Sequence, residues 1–226
     1  MHRKLLAVLL CLTLATGCEK RADTRSAMFA DEESEFVIAV LIDLSESFEP
    51  QMTEGGQAYA FLMSLLDRYF RQRIGTDDQL ILAQISGSSD RALLWQGSPT
   101  DLRKQFPDPK TFSTFLQSKA NARGSCVHDS IVQTVEYMTN EPSVANGKAR
   151  SALFVLSDMV DSGSNEVASR ARAIDAIRQL ANVGGTFGFY FVDQTVLMSW
   201  KRELQKVGVE FSLTSDFRQP SLPNFD

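Results

Sequence analysis

The sequence predicts a doubly wound α/β fold: a mainly parallel sheet with one antiparallel hairpin strand and helices on both faces. Three observations predict it. Short, continuous apolar runs recur along the chain, as expected of strands covered on both faces. Between them lie segments whose apolar residues return every three or four positions, the period of a helix with one buried stripe. The two kinds of segment alternate, which is the pattern of βαβ units.

The elements follow in order. FVIAVLI (36–42) is rich in β-branched residues and reads as a buried central strand. Ala58, Phe61, Leu62, Leu65, Leu66, Tyr69 and Phe70 form a helical stripe, with Asp67, Arg68, Arg71 and Arg73 on the other side. QLILAQIS (79–86) and RALLWQGS (91–98) are strand-like and joined by GSSD, which reads as a hairpin. Residues 99–120 contain Pro99, Pro107 and Pro109 and are expected to hold short helices. Asp129–Met138 is helical by the spacing of Ile131, Val132, Val135 and Met138. SALFVLSD (151–158) is another buried strand, and Glu166–Asn182 a helix. GTFGFYFVD (185–193), Val196–Val207 and GVEFSL (208–213) complete the series as strand, helix and strand. One domain is expected over 35–214. The tail 215–226, with Pro220 and Pro223, reads as loose.

The N-terminus is not part of that domain. MHRKLLAVLLCLTLATGC has a basic start, an apolar stretch from Leu5 to Leu14, and then small residues, the layout of a secretory signal peptide. Leu14-Ala15-Thr16-Gly17-Cys18 resembles a bacterial lipobox. That resemblance implies cleavage after residue 17 and a lipid on Cys18. Cleavage takes away Arg3 and Lys4 and moves the formal charge from −5 to −7. Residues 18–34 would then be the lipidated Cys18 and a polar tether. The implied address is the bacterial cell envelope, lipid-anchored. Glu19, rather than Asp, after Cys18 points to the outer membrane facing the periplasm. Cys126 remains without an intramolecular partner, so neither a disulfide framework nor a cysteine-rich zinc site is expected. Net negative charge without a basic, aromatic-laced stripe excludes general nucleic-acid binding.

In doubly wound sheets, ligands bind beyond the carboxyl ends of the strands. Asp43, Ser45 and Ser47 follow the first strand, Asp158 follows SALFVLS, and Gly124-Ser125 precedes a helix. Two carboxylates and several hydroxyls suit a small hard cation, Mg²⁺ or Mn²⁺, which takes oxygen ligands and keeps some water. An open position would then accept an anion such as a partner's carboxylate.

Here a resemblance becomes specific. IDLSES is similar to the D-x-S-x-S signature of the von Willebrand factor type A (vWA) domain, as in integrin I domains. RGSCVHDSI (123–131) resembles that family's Gly-Thr loop, with Ser125 at the threonine position and Asp129 at a later aspartate. LFVLSDM (153–159) resembles its Thr-Asp-Gly strand end, with Met159 in place of Gly. The family's doubly wound fold carries a metal-ion-dependent adhesion site. The resemblance implies Mg²⁺ or Mn²⁺ held by Asp43, Ser45, Ser47, Ser125 and Asp158, with Gly124 and Asp129 in support. A protein partner would complete the shell with an acidic residue. Ser125 keeps the hydroxyl of threonine but lacks its stiffening methyl.

Other polar residues read as structural. His128 is expected in a loop or first helical turn, Asp193 as a helix cap, Glu46 as solvated and Asp161 as surface loop. No enzyme is expected. The D-x-D of haloacid dehalogenase phosphatases is broken by Ser45, and neither a G-K-[ST] phosphate loop nor a G-x-S-x-G elbow occurs. The expected function is therefore metal-dependent protein binding on an envelope lipoprotein. A metal-independent assembly module and a metal-dependent hydrolase stand as alternatives.

Overall fold

The most apolar stretch of the chain becomes the centre of the sheet. In a computed structural model, β1 (Phe36–Asp43) is buried at all eight positions. The structure describes residues 35–73, 76–85, 92–120, 124–163, 165–208, 211–215 and 220–225. The expected leader 1–17, Cys18, the tether to 34 and the hairpin turn 86–91 lie outside the described residues.

After β1 come a 3-10 turn (Glu49–Met52), α1 (Gln57–Gln72), β2 (Gln79–Ile85), β3 (Leu93–Gly97), α2 (Pro99–Gln105) and α3 (Pro109–Gln117). Then follow α4 (Val127–Thr139), α5 (Pro142–Ala145), β4 (Arg150–Leu156), α6 (Glu166–Asn182), β5 (Thr186–Val192), α7 (Gln194–Val207) and β6 (Phe211–Ser215). The strands form one sheet in the order β3-β2-β1-β4-β5-β6. All pairs are parallel except the β2–β3 hairpin. The predicted α/β class and its hairpin are present, and the short helices expected within 99–120 are α2 and α3.

Strand alternation divides the core into two layers. Phe36, Ile38, Val40 and Ile42 face α1, α2 and α3. Val37, Ala39 and Leu41 face α4, α5, α6 and α7. No helix among the described residues is long and apolar enough to cross a membrane.

The tail departs from the sequence reading. Phe225 is buried, and its ring meets those of Phe36, Tyr69 and Phe154 at 6.4, 5.2 and 6.0 Å. Arg68 Nη1 donates to the carbonyl oxygens of Leu222 and Pro223 at 2.9 and 3.2 Å. Prolines end helices and strands, but they do not stop a short extended segment from docking when a large aromatic side chain anchors it.

That end of the sheet also holds a buried ion pair. Arg73 Nε lies 2.9 Å from Asp78 Oδ2, and Asp78 also accepts from Tyr69 Oη at 3.0 Å and from the Phe36 amide at 2.9 Å. The pair fixes the start of β1; the opposite end is left for the polar loops.

Candidate metal centre

Parallel pairing sets the geometry of the site. Ile42 is level with Leu156, so the next residue of the β4 chain, Ser157, stands beside Asp43. Asp43 is fully buried. Its Oδ1 accepts the Ser45 amide at 2.9 Å, which bends the chain into the Ser45–Ser47 loop. Its Oδ2 accepts the Ser157 hydroxyl at 2.7 Å. Ser157 Oγ in turn accepts the Met159 amide at 2.8 Å.

Above Asp43 the hydroxyls line up. Ser45 Oγ and Ser47 Oγ are 3.3 Å apart, and Ser47 Oγ donates to Asp158 Oδ2 at 3.5 Å. Asp158 Oδ1 accepts the Val160 amide at 2.9 Å. Four of the five expected ligand residues are thus joined by hydrogen bonds or short oxygen contacts. The fifth, Ser125, is near but directed elsewhere: its hydroxyl donates to the Val160 carbonyl at 3.1 Å. Asp129, in the first turn of α4, accepts from Arg172 Nη2 at 2.8 Å in an exposed pair. Glu46 is exposed, as expected.

The electrostatics fit a cation. Burial pushes the Asp43 carboxyl above the usual range, against the bonds from Ser45 and Ser157. Burial also raises Asp158, helped by the neighbouring charges of Asp43 and Asp193 and opposed by the Val160 amide and the Ser47 hydroxyl. Among the described residues neither carboxylate has an ion-pair partner. A divalent ion would offset both penalties. Oxygens sharing an octahedral Mg²⁺ at 2.0–2.1 Å sit roughly 3 Å apart. The hydroxyl chain is a few tenths of an ångström wider, a small contraction for exposed Ser47. No group of three His, Cys, Asp or Glu is gathered among the described residues; this donor set is two carboxylates and hydroxyls.

Two backbone features shape the loops. Met159 takes φ 62°, a left-handed conformation that favours glycine, while its side chain is buried in the α4 layer. Phe191 takes φ 69° where the β5–β6 register slips. Its ring therefore joins Tyr190 in the α1 layer and meets Phe48, which follows the serine loop, at 6.4 Å.

Sequence reasoning missed three contributors. Ser157 occupies the residue before Asp158, where the resembled motif has threonine; that match is the signal that could have found it. Asp161, expected on the surface, has a side chain only 2% exposed and accepts from the His128 amide at 2.9 Å. Phe191 carried no signal, because a positive φ at phenylalanine has no sequence signature. Asp193 does cap α7, accepting the Thr195 amide at 2.7 Å, and its own amide donates to the Asp158 carbonyl at 2.9 Å. The His128 ring is fully buried, with Nδ1 facing both Asp161 and Ser169 at 3.1 and 3.0 Å. A nucleophile relay needs its serine and acid on opposite ring nitrogens, so this trio is not one.

No family model matches the chain, and no curated protein matches it. Solved structures match at the level of fold. The pilus adhesin SpaC from Lactobacillus rhamnosus GG, in its open conformation, superposes with a TM-score of 0.57 over 81% of this chain, at 11% identity. A second crystal structure of SpaC gives the same TM-score at 12% identity. Proximal thread matrix protein 1 from the mussel byssus superposes with a TM-score of 0.52 over 81% of this chain, at 15% identity. The chain spans 28% of the adhesin and 44% of the byssus protein. At such identities the shared property is the α/β fold.

Proposed function

We propose that this chain is a vWA-type, metal-dependent protein-binding module on a bacterial envelope lipoprotein. The observation that carries the reading is the Ser45–Ser47–Asp158 oxygen chain above buried Asp43, at the carboxyl ends of two adjacent parallel strands. Ser45, Ser47 and Asp158 would hold Mg²⁺ or Mn²⁺ directly. Asp43 would act directly or through water while orienting the serine loop. Ser125 would add a third hydroxyl by turning from the Val160 carbonyl, and Gly124, at φ 78°, lets the loops approach closely. When bound, the ion supplies an electrophilic position for a carboxylate of the partner protein. Cys18 would anchor the chain to the membrane. One of the fold neighbours is described as an adhesin, in keeping with this reading.

Thermal unfolding with Mg²⁺, Mn²⁺ or chelator tests it. An ion at about 100 times its Kd adds about 2.7 kcal/mol, or roughly 5–10 °C in Tm for a domain of this size. Ser47→Ala, at an exposed position, should abolish that shift and leave the chelated Tm unchanged. An identical Tm with and without metal in the wild type rejects the metal reading. Partner capture that survives chelation would favour a metal-free binding surface. Lipidation is checked separately by palmitate labelling, which Cys18→Ala should eliminate.

A further inference from the structure

Two of the loops at this site are stitched together. The Ser162 amide and hydroxyl both donate to the Ser125 carbonyl at 2.9 Å, and Ser125 Oγ donates to Val160. A Cβ on Gly124 would lie 2.6 Å from Ser162 Oγ, and φ there is +78°, so close approach and backbone both favour glycine. Beneath these bonds lies Asp161. Its Oδ2 accepts from the His128 amide at 2.9 Å and lies 3.1 Å from Nδ1, and its Oδ1 accepts the Gly163 amide at 2.6 Å.

We infer that the buried His128–Asp161 pair, which ligates nothing, is the positioning device that holds the Ser125 loop on the Asp158 loop and so sets how tightly the site grips its cation. The inference rests on the metal reading above. Bonds to a carboxylate are stronger than those between neutral groups, so the three donors facing Asp161 make it the main tie between the loops. It reaches both loops at once, three residues from Ser125 through His128 and three from Asp158 along its own chain. The ring of His128 is held by Ser169 Oγ on α6 and by Trp200 on α7, 5.5 Å away. Burial keeps the imidazole below the ordinary histidine range despite Asp161. The Asp161 carboxylate facing Nδ1 makes that nitrogen the ring's donor. Nε2 has no partner. Partners one step removed from a metal commonly set its affinity in this way.

The test is Mn²⁺ binding to the full chain by calorimetry, well below the unfolding temperature, with denaturant stability measured in parallel. His128→Phe keeps an aromatic ring against Trp200 and deletes the donor; it should weaken Mn²⁺ binding by about 10–100-fold. His128→Asn places an amide nitrogen where Nδ1 stands and should restore most of that loss. Ser125→Ala should weaken binding without touching the pair. Wild-type affinity in His128→Phe, with Ser125→Ala weakened, overturns the positioning role alone. So does an equal loss in His128→Asn and His128→Phe, which would assign the effect to ring packing. Absence of binding in the wild type overturns the metal reading and this inference with it. If His128→Phe fails to fold, Asp161→Asn carries the test: it keeps the volume and removes the charge, the same loss is expected, and unchanged affinity overturns the role.

Discussion

Replacing Met159 with glycine is the most informative single change, because two effects oppose each other at one residue. Backbone conformation favours glycine: a left-handed conformation at a residue with a side chain costs roughly 1–2 kcal/mol, and Met159 has φ 62°. Packing opposes it. Met159 is 1% exposed and belongs to the α4-side core, where truncating methionine costs about 2–5 kcal/mol. Glycine also adds about 0.5–1 kcal/mol of freedom to the unfolded chain. Central values give a net loss of about 2–3 kcal/mol, because the lost packing outweighs the relieved backbone. Equilibrium urea unfolding reads this as a lower midpoint at constant slope, and thermal unfolding as a Tm drop of roughly 5–10 °C. Met159→Leu retains apolar volume at the same φ and should lose less than about 1.5 kcal/mol. A glycine variant as stable as the wild type would refute the reasoning: the loop would then be shaped by backbone preference alone, with the buried side chain contributing nothing.

Phe225→Ala should destabilise by about 3–5 kcal/mol in denaturant, because the ring fills the space between Phe36, Tyr69 and Phe154; a loose tail would show no change. Asp78→Asn should cost about 3–5 kcal/mol, since it removes the buried carboxylate that faces the Arg73 guanidinium. Asp78 also sets an acid limit. Burial raises its carboxyl, but the bonds from Arg73, Phe36, Thr76 and Tyr69 outweigh burial and leave it below the usual range. Its stabilisation is thus present above the ordinary carboxylate pKa and lost as pH falls through the folded value, seen as an acid unfolding limb that Asp78→Asn flattens. Asp43 and Asp158 have the opposite sign. Their folded values are raised, so the chelated protein should gain stability as pH falls through those values toward the ordinary carboxylate pKa. The Mg²⁺-induced Tm shift should shrink over the same window, as protons compete for the same oxygens; a shift independent of pH there would count against these carboxylates as the ion's ligands.

Most of the fold was legible because the signals that set it are local and periodic. β1 is a run of consecutive apolar residues, α1 an amphipathic stripe, and alternation of the two leaves few topologies open. Much of the site was legible for the same reason. Asp43 and Asp158 each end an apolar run, and the parallel register of the two strands brings those ends together. What escaped was pairing at a distance. Asp161 in SDMVDSG looks like any loop aspartate; its burial depends on an imidazole 33 positions away. Phe225 sits among prolines and has no period to betray it. Ser157 reads as the last residue of a strand until the register places it beside Asp43.

The two departures from the resembled motif are where structure adds most, since each is matched by a contact elsewhere. Serine at 125 lacks the methyl that would limit its rotamer, yet its hydroxyl is bonded to the Val160 carbonyl and its own carbonyl receives both Ser162 donors. Methionine at 159 should resist a glycine conformation, yet it adopts one and offsets the strain by burying its side chain. In both cases a local preference is replaced by a bond or contact from the Asp158–Gly163 loop or the core beneath it. Changes in that loop and core should therefore reach the serine and carboxylate oxygens without touching any of them.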